Sequence, residues 1–332
     1  LRYRIGLGQM GVMTVRAQLD ELKTRPQYEN RQRLSTHLRR CLPRPYMRAI
    51  FLRPLELTLN LRRSCMAFTM CYSTLRWQTP DLEVALEELK RAGWDGWEGR
   101  LPLDWLGPPA RLRRVCADSG MPMSVYTASG SPDNTEWEQV ERNRRRMEFA
   151  AEVEADCFMF MSGPMPEGRM VSDDDIRAAA EGAESWAEYA SQFDLEVSYH
   201  IHTNTLVDST EHWHLYMSCL RKAKLCIDVS HSQLWGYDPL EAIADFRDQL
   251  NYVHLQDYTS TSRRKDGCYL PVWCDVGLGD NIDFPGILKV LADQGFDRCV
   301  TCCPGEPPPG DDPVTEAKRS SGAREYLKRL GY

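Results

Sequence analysis

The stretch "KLCIDVSHSQLWGYDPLEAIADFRDQLNYVHLQ", residues 224–256, contains two short apolar segments separated by an amphipathic one. The first and last six residues, KLCIDV (224–229) and NYVHLQ (251–256), have the length and the apolar content of buried strands. Between them, DPLEAIADFRDQL (238–250) repeats its apolar residues at helical spacing. The stretch therefore predicts a strand–helix–strand unit of the kind from which parallel sheets are built.

The same alternation extends over residues 66–332. The eight strand candidates are 67–73, 96–99, 123–128, 157–162, 195–202, 224–229, 251–256 and 298–303. Helical patterns separate them, for example at 81–93, where Gly93 ends the helix, and at 173–193 and 283–295. Eight strand–helix repeats in roughly 265 residues predict an α/β fold, the (β/α)8 TIM barrel. A doubly wound open sheet would need a glycine-rich phosphate turn after an early strand, and residues 66–332 contain none.

Polar residues cluster where three consecutive predicted strands end. They are His200 and His202, then Asp228 and His231, then His254 and Asp257. Four of the seven histidines in the chain are in this set. Because side chains alternate along a strand, His200 and His202 lie on one face, and chemistry in a TIM barrel takes place at the carboxyl ends of the strands. Neutral imidazoles together with a carboxylate form a ligand set suited to Mn, Co, Fe or Zn.

The composition is that of an ordinary soluble globular protein, with 42% hydrophobic and 27% charged residues among 332. No apolar run approaches the ~20 residues that a membrane-spanning helix needs. The twelve cysteines are scattered, without the dense spacing of a secreted disulfide scaffold. Buried free thiols in a reducing compartment explain them most simply, so we expect a cytoplasmic protein with no membrane partner.

The charge is distributed unevenly between residues 1–65 and the remainder. Residues 1–65 carry a net charge of +10, whereas the whole chain carries −7, which leaves −17 for residues 66–332. The Arg-rich segment is compatible with a nucleic-acid-binding arm, a transit peptide or an upstream extension of the reading frame. We expect the extension, with a natural start at Met66, and therefore a single catalytic barrel at 66–332. The acidic remainder argues against a nucleic-acid partner.

Several motifs resemble those of one known superfamily. "YHIHTNTLV" (199–207), "CIDVSHSQLWGYDP" (226–239), "YVHLQD" (252–257) and "GLGDNIDFPGILKVLADQGF" (277–296) resemble the xylose isomerase-like superfamily of sugar isomerases and epimerases, and within it the inosose dehydratases. The resemblance covers roughly residues 66–330 and is strongest from 190 to 296. The combination of D-x-x-H with a downstream V-H-x-x-D is much more specific than any single histidine.

The resemblance implies one divalent metal ion with four protein ligands. Three of the family's ligand positions correspond to His200, Asp228 and His254. The fourth is a Glu in the family, whereas the aligned position in "RCVTCCPGE" (298–306) is Cys303. Cys303 as a thiolate would favour zinc or iron. The alternatives are that Glu306 folds back into the position, or that the fourth protein ligand has been lost.

The resemblance also implies the reaction. In the superfamily a metal polarises an oxygen of a polyol, a base removes the neighbouring proton, and an enediolate forms. Epimerases of the superfamily use opposed carboxylates at positions that here hold His200 and Cys303, so we expect elimination of water from a keto-cyclitol or keto-sugar. His202 and His231 are the expected acid and base. Glu98, Asp257 and Arg263 are expected to bind the substrate, Arg263 from a long loop after the seventh strand.

Two other classes of function remain open at this stage. Endonuclease IV-type repair enzymes share the barrel and the D-x-x-H motif, but they need further His and Glu ligands and a basic groove. A non-catalytic barrel that binds a sugar would tolerate loss of the fourth ligand. The sequence leaves undecided the exact substrate, the choice between a dehydratase and a sugar epimerase or isomerase of the same superfamily, the metal and a homo-oligomeric assembly.

Overall fold

The computed structural model describes residues 68–77, 81–306 and 313–332. The predicted segment 1–65 and its boundary at Met66 lie outside these residues. The strands are β1 (Thr69–Ser73), β2 (Gly96–Gly99), β3 (Met123–Thr127), β4 (Cys157–Phe160), β5 (Glu196–His200), β6 (Lys224–Asp228), β7 (Leu250–Leu255), β8 (Asp257–Arg263), β9 (Tyr269–Cys274) and β10 (Cys299–Cys302). The helices are α1 (Leu82–Ala92), α2 (Leu103–Leu106), α3 (Pro109–Ser119), α4 (Trp137–Glu152), α5 (Asp173–Ser191), α6 (Thr210–Cys219), α7 (Val229–Trp235), α8 (Pro239–Asp245), α9 (Phe284–Asp293) and α10 (Pro313–Arg329).

Eight of the strands close into a parallel barrel, which confirms the predicted fold. β1 to β7 follow one another around the barrel, and β10 closes it between β7 and β1. Thr69 pairs with Cys299 at the closure, while Asp228 pairs with His254 between β6 and β7. This register places Asp228 and His254 side by side at the carboxyl end of the barrel, where TIM-barrel chemistry takes place.

Strand alternation divides the apolar residues into two cores. Val197, Tyr199 and Ile201 belong to the large core between the barrel and the helices, as their alternation predicts. A smaller cluster fills the barrel interior and is rich in sulfur, for it contains Cys71, Cys157, Cys226, Cys299 and Met159, with Val125 and Tyr252. Small side chains suit the narrow interior of an eight-stranded barrel.

Helix ends follow the local sequence signals. Gly93 after α1 adopts φ +98°, a left-handed conformation that glycine adopts without strain, and its N–H bonds back to Leu89 and Lys90. Ser172 and Asp175 form a reciprocal capping box at the start of α5, where three aspartates occupy the first turn. No helix in the described ranges is both long enough and apolar enough to cross a membrane.

The prediction of a long loop after the seventh strand is wrong. Residues 257–274 instead form an antiparallel hairpin, β8–β9, outside the barrel sheet. Its serines, threonines and charged residues gave no clear apolar alternation, because most of β8 faces solvent. The strand predicted at 195–202 is also too long, since β5 ends at His200 and His202 lies in the following loop.

Candidate metal and catalytic site

Asp228 lies at the centre of the candidate site, and its two carboxylate oxygens have different surroundings. Oδ1 caps the start of α7 and accepts hydrogen bonds from Ser230 N, Ser230 Oγ and His231 N, at 2.9, 2.6 and 3.3 Å. Oδ2 is buried, has no hydrogen-bond partner among the described residues, and lies 3.5 Å from both His200 Nε2 and His254 Nδ1. The D-x-x-H spacing therefore has a structural reason: one oxygen caps the helix that carries His231, and the other faces two imidazoles.

The two imidazoles that face Asp228 Oδ2 come from β5 and β7, the strands on either side of β6. His200 Nε2 lies 3.0 Å from His254 Nδ1, and both side chains are almost completely buried. Three donor atoms separated by 3.0 to 3.5 Å have the spacing of ligands that bind one ion at ~2.0–2.2 Å. Burial lowers the pKa of His200 to about 3, so its ring is neutral and able to bind a cation.

Cys303 approaches the same imidazole from the end of β10. Its Sγ lies 3.1 Å from His254 Nδ1, and Asp228, His254 and Cys303 together form a group whose ligand atoms all lie within 4.8 Å of one another. A second group of this kind contains His200, His254 and Cys226, a thiol that no sequence argument had singled out. Cys226 precedes Asp228 by two residues on β6, so strand alternation offered the missing signal. Cys299 and Cys302 have C-x-x-C spacing but belong to different cores, interior and helix-facing, and so do not form a joint site.

Glu306, the alternative fourth ligand, belongs to neither group. It is exposed, and its backbone N–H donates to Trp273 O on the hairpin at 3.4 Å. Of the two residues predicted as a fourth ligand, Cys303 lies beside His254 and Glu306 does not.

The buried atoms fit a divalent cation. Asp228 Oδ2 is a buried carboxylate oxygen without a hydrogen-bond donor, and such a group is costly unless a cation compensates it. Although burial alone would raise the pKa of Asp228, the nearby rings of His231, His200 and His254 hold it well below its usual range. An N₂OS donor set of two imidazoles, a carboxylate and a thiol is typical of borderline and soft divalent metals.

His202 and His231 lie beside this cluster, and the backbone of one residue, Thr203, fixes the tautomer of both. The ring centroids are 4.0 Å apart. His202 Nδ1 lies 2.6 Å from Thr203 O, and because a carbonyl only accepts, Nδ1 carries the proton and Nε2 is left with a lone pair. His231 Nδ1 accepts from Thr203 N at 3.2 Å, so its Nε2 carries the proton. That Nε2 is buried and has no partner in the described part of the chain.

Burial keeps both of these histidines neutral. It lowers the pKa of His202 and lowers that of His231 further below the usual value. The pair therefore presents one lone pair and one N–H donor next to the cluster around Asp228. Thr203 creates this difference, and no motif or pattern in the sequence indicates it.

Glu98 is fully buried under His254. Its Oε2 accepts from His254 Nε2 at 2.5 Å and from the Tyr252 hydroxyl, and its Oε1 accepts from Ser73 Oγ at 2.7 Å and Arg100 Nε at 2.5 Å. Burial alone would raise the pKa of Glu98, but Arg100 and His254 hold it well below its usual value. The predicted role in substrate binding stays a prediction; the structure places this carboxylate in contact with protein groups.

The other two predicted substrate residues lie farther out. Asp257 is buried, and its carboxylate accepts from the backbone N–H groups of Tyr258, Gly277 and Gly279 at 2.8 to 3.0 Å. This arrangement joins the start of the hairpin to the segment that follows it. Arg263 is exposed on β8, where its guanidinium lies over the Tyr269 ring and donates to Gly267 O. Neither residue is brought into contact with His200, Asp228 or His254.

A cavity of about 200 Å³ opens at the carboxyl ends of β3 and β4. Arg100, Thr127, Ser131, Ser162 and Thr205 line it with polar groups, and Met159 and Met161 contribute apolar walls. Thr205 donates to His202 O, and Arg100 donates to Glu98, so two walls of the cavity contact the site directly. Its volume is below the ~300 Å³ at which sites for drug-sized ligands begin.

Proteins with similar sequences include several inosose dehydratases. Inosose dehydratase of Geobacillus kaustophilus is 25% identical over 170 residues, 48% of this chain and 54% of the relative. Inosose dehydratase of Clostridium perfringens is 27% identical over 180 residues, which are 51% of this chain and 59% of the relative. The match thus spans little more than half the length of these relatives. A rhizopine catabolism protein of Rhizobium meliloti is 23% identical over 305 residues, 81% of this chain and 90% of the relative.

Solved structures share the fold at low identity. D-psicose 3-epimerase from Clostridium cellulolyticum superposes with a TM-score of 0.62 at 12% identity, covering 79% of this chain and 99% of that one. For 3-keto-D-glucoside 4-epimerase from E. coli, the TM-score is 0.59 at 16% identity, and the match covers 80% of this chain and 99% of that one. The family model for the xylose isomerase-like TIM barrel matches residues 86–330, almost all of the closed barrel. The family match and the eight-stranded architecture agree with the motifs at 199–257. The chain therefore belongs to the xylose isomerase-like TIM barrel family.

Proposed function

We propose that the protein is a metal-dependent enzyme that eliminates water from a keto-cyclitol or keto-sugar. The observation that carries this proposal is the unpartnered, buried Asp228 Oδ2 facing His200 and His254 next to a pair of histidines with opposite tautomers. The similarity to inosose dehydratases supports the substrate class.

His200, Asp228, His254 and Cys303 would hold the metal. A divalent ion bound there would supply the positive charge that polarises the ketone and acidifies the neighbouring C–H bond. The ligand atoms of Asp228, His254 and Cys303 lie within 4.8 Å of one another, which supports their joint role.

His202 acts as the base in this proposal because its Nε2 carries a lone pair. It takes the proton from the carbon next to the ketone, and the C–H electrons form the enolate. The hydroxyl on the following carbon then departs with its C–O electron pair and recovers that proton from the His202 imidazolium. Water and an unsaturated ketone are formed, and His202 returns to its neutral state.

His231 contributes a hydrogen bond to a substrate oxygen in this scheme. Its Nε2–H has no partner in the described residues, and its lowered pKa keeps the ring neutral, so it donates without transferring the proton. A neutral imidazole is an effective donor to developing negative charge on a carbonyl oxygen. The expected acid–base pair is thereby divided into one base and one fixed donor.

The test is turnover by protein loaded separately with Mn²⁺, Co²⁺ and Zn²⁺, using a panel of keto-cyclitols and ketoses in D₂O. Elimination gives a conjugated enone with ultraviolet absorbance, whereas deuterium exchange without the enone would indicate an epimerase or isomerase. Binding of a sugar with neither signal would indicate a non-catalytic barrel. His202→Gln should lose about 10²–10⁴-fold in turnover while retaining metal. His212→Gln, on α6, is the matched control and should leave turnover unchanged.

A further inference from the structure

Glu98 has a geometry that substrate binding does not explain. Its side chain is fully buried, and all four of its hydrogen-bond partners are protein groups from β1, the β2 end and β7. A carboxylate that accepts from Ser73, Arg100, Tyr252 and His254 has its lone pairs directed at donors already in place. A substrate hydroxyl would have to displace one of them.

The bond between Glu98 and His254 determines which imidazole nitrogen faces the cluster. Because a carboxylate accepts, His254 Nε2 carries a proton in this 2.5 Å contact. Nδ1 is the atom that lies 3.0 Å from His200 Nε2, 3.1 Å from Cys303 Sγ and 3.5 Å from Asp228 Oδ2. Metal-bound histidines commonly donate their other N–H to a carboxylate, which fixes the ring and increases its basicity.

We propose that Glu98 is a positioning residue that holds His254 with Nδ1 directed at the metal. The inference rests on the proposed metal site. It assigns the linkage of each histidine as well: His254 binds through Nδ1, whereas His200 binds through Nε2, the nitrogen that faces Asp228 Oδ2.

Arg100 and Ser73 keep the carboxylate of Glu98 in place. Arg100 Nε donates to Oε1 while the rest of the guanidinium, with 15% of the side chain exposed, lines the cavity. Ser73 pairs with Glu98 across β1 and β2 and donates to the same oxygen. Oε2 is thereby left to His254 and Tyr252. Glu98 connects the wall of the proposed substrate cavity with a proposed metal ligand.

The first experiment measures the dissociation constant for Zn²⁺ by competition with a chelator. Glu98→Gln keeps the shape of the side chain but removes its charge, and it should weaken binding about 10–100-fold. The matched control is Asp95→Asn, which removes a carboxylate that accepts from Met70 N at the opposite end of β2. The control should leave the dissociation constant unchanged even if it lowers the melting temperature. Equal affinities for wild type and Glu98→Gln would overturn the inference.

The second experiment needs no variant. Long-range ¹H–¹⁵N correlations of the Zn²⁺-loaded wild-type protein should show a proton on Nε2 and the metal on Nδ1 for His254, and the reverse for His200. The opposite linkage at His254 would refute the role of Glu98 while leaving the proposed function intact. Failure of wild type to bind any divalent metal would reject both.

Discussion

Asp228 has two separable tasks, and one substitution distinguishes them. In Asp228→Asn the remaining carbonyl oxygen still caps α7, because Asn is as good an N-cap as Asp. The variant loses the negative charge that faces His200 and His254. Metal affinity should therefore fall at least ~100-fold, more than on substitution of a residue that contacts only a metal ligand. Chelator competition measures the loss. Ser230→Ala is the control, since it removes a bond to Oδ1 and leaves Oδ2 unchanged.

Substitutions of Cys303 and of Glu306 should differ in their effect on metal binding, because only one of the two residues is predicted to be the fourth ligand. Cys303→Ala should weaken metal binding, whereas Glu306→Gln should have no effect, because only the thiol lies beside His254. Cys303→Glu would restore the family's carboxylate and should preserve or increase Mn²⁺ or Mg²⁺ binding. Cys303 should also resist alkylation until the metal is chelated, since a bound thiolate is shielded.

The results of these substitutions could also contradict the assignment. If Cys303→Ala binds metal normally and Glu306→Gln does not, the ligand is Glu306. If both variants bind normally, the site operates with three protein ligands and water.

At the scale of elements, the hairpin β8–β9 contacts one member of the histidine pair, His231. The ring of Trp273, on β9, lies 5.4 Å from that of His231. Asn204 attaches the hairpin to the loop after β5: its side chain accepts from Tyr269 N at 2.8 Å and donates to Tyr269 O at 3.0 Å. Asn204 itself has φ +63°, a left-handed conformation that Asn adopts more readily than most residues. A side chain of the loop that carries His202 and Thr203 is thus one of the attachments of the hairpin.

Asn204→Gly should loosen the hairpin without straining the loop. Glycine tolerates the positive φ, but the two hydrogen bonds to Tyr269 are lost, each worth about 0.5–1.5 kcal/mol. Amide hydrogen exchange at Tyr269 and its neighbours should accelerate about tenfold or more, because 1.4 kcal/mol corresponds to a factor of ten. Exchange in β5 and β6 serves as the internal reference. Unaltered hairpin exchange would show that other contacts hold it.

The elements also show what the sequence can and cannot predict. Local patterns predict that β2 begins at Gly96 and ends at Gly99, and that α1 ends before Gly93. The structure confirms these bounds. The sequence does not predict the hairpin, because its strands are largely exposed or half-buried and lack apolar alternation. The contact between Glu98 and His254 joins residues 156 positions apart, and only closure of the barrel brings them together. Local pattern thus places the strand ends, whereas the orientation of each side chain there depends on tertiary contacts.

At the scale of the whole molecule, the unequal charge distribution leads to a prediction about residues 1–65. This segment carries +10 and shows no strand–helix alternation, whereas residues 66–332 carry −17 and contain every strand of the barrel. A chain of residues 66–332 should therefore unfold cooperatively and bind metal with unchanged affinity. Its melting temperature should lie within the ~2–4 °C that corresponds to 1 kcal/mol in a domain of this size.

Salt concentration distinguishes two ways in which that prediction can fail. Opposite charges attract through solvent over a Debye length of ~10 Å at 0.1 M salt and ~3 Å at 1 M. If the Arg-rich segment stabilises the acidic barrel only by charge, truncation should lower the melting temperature at low salt and have no effect at 1 M. A loss that persists at 1 M salt would mean that residues 1–65 contribute apolar contacts to the fold. The prediction of a self-sufficient barrel at 66–332 would then be wrong.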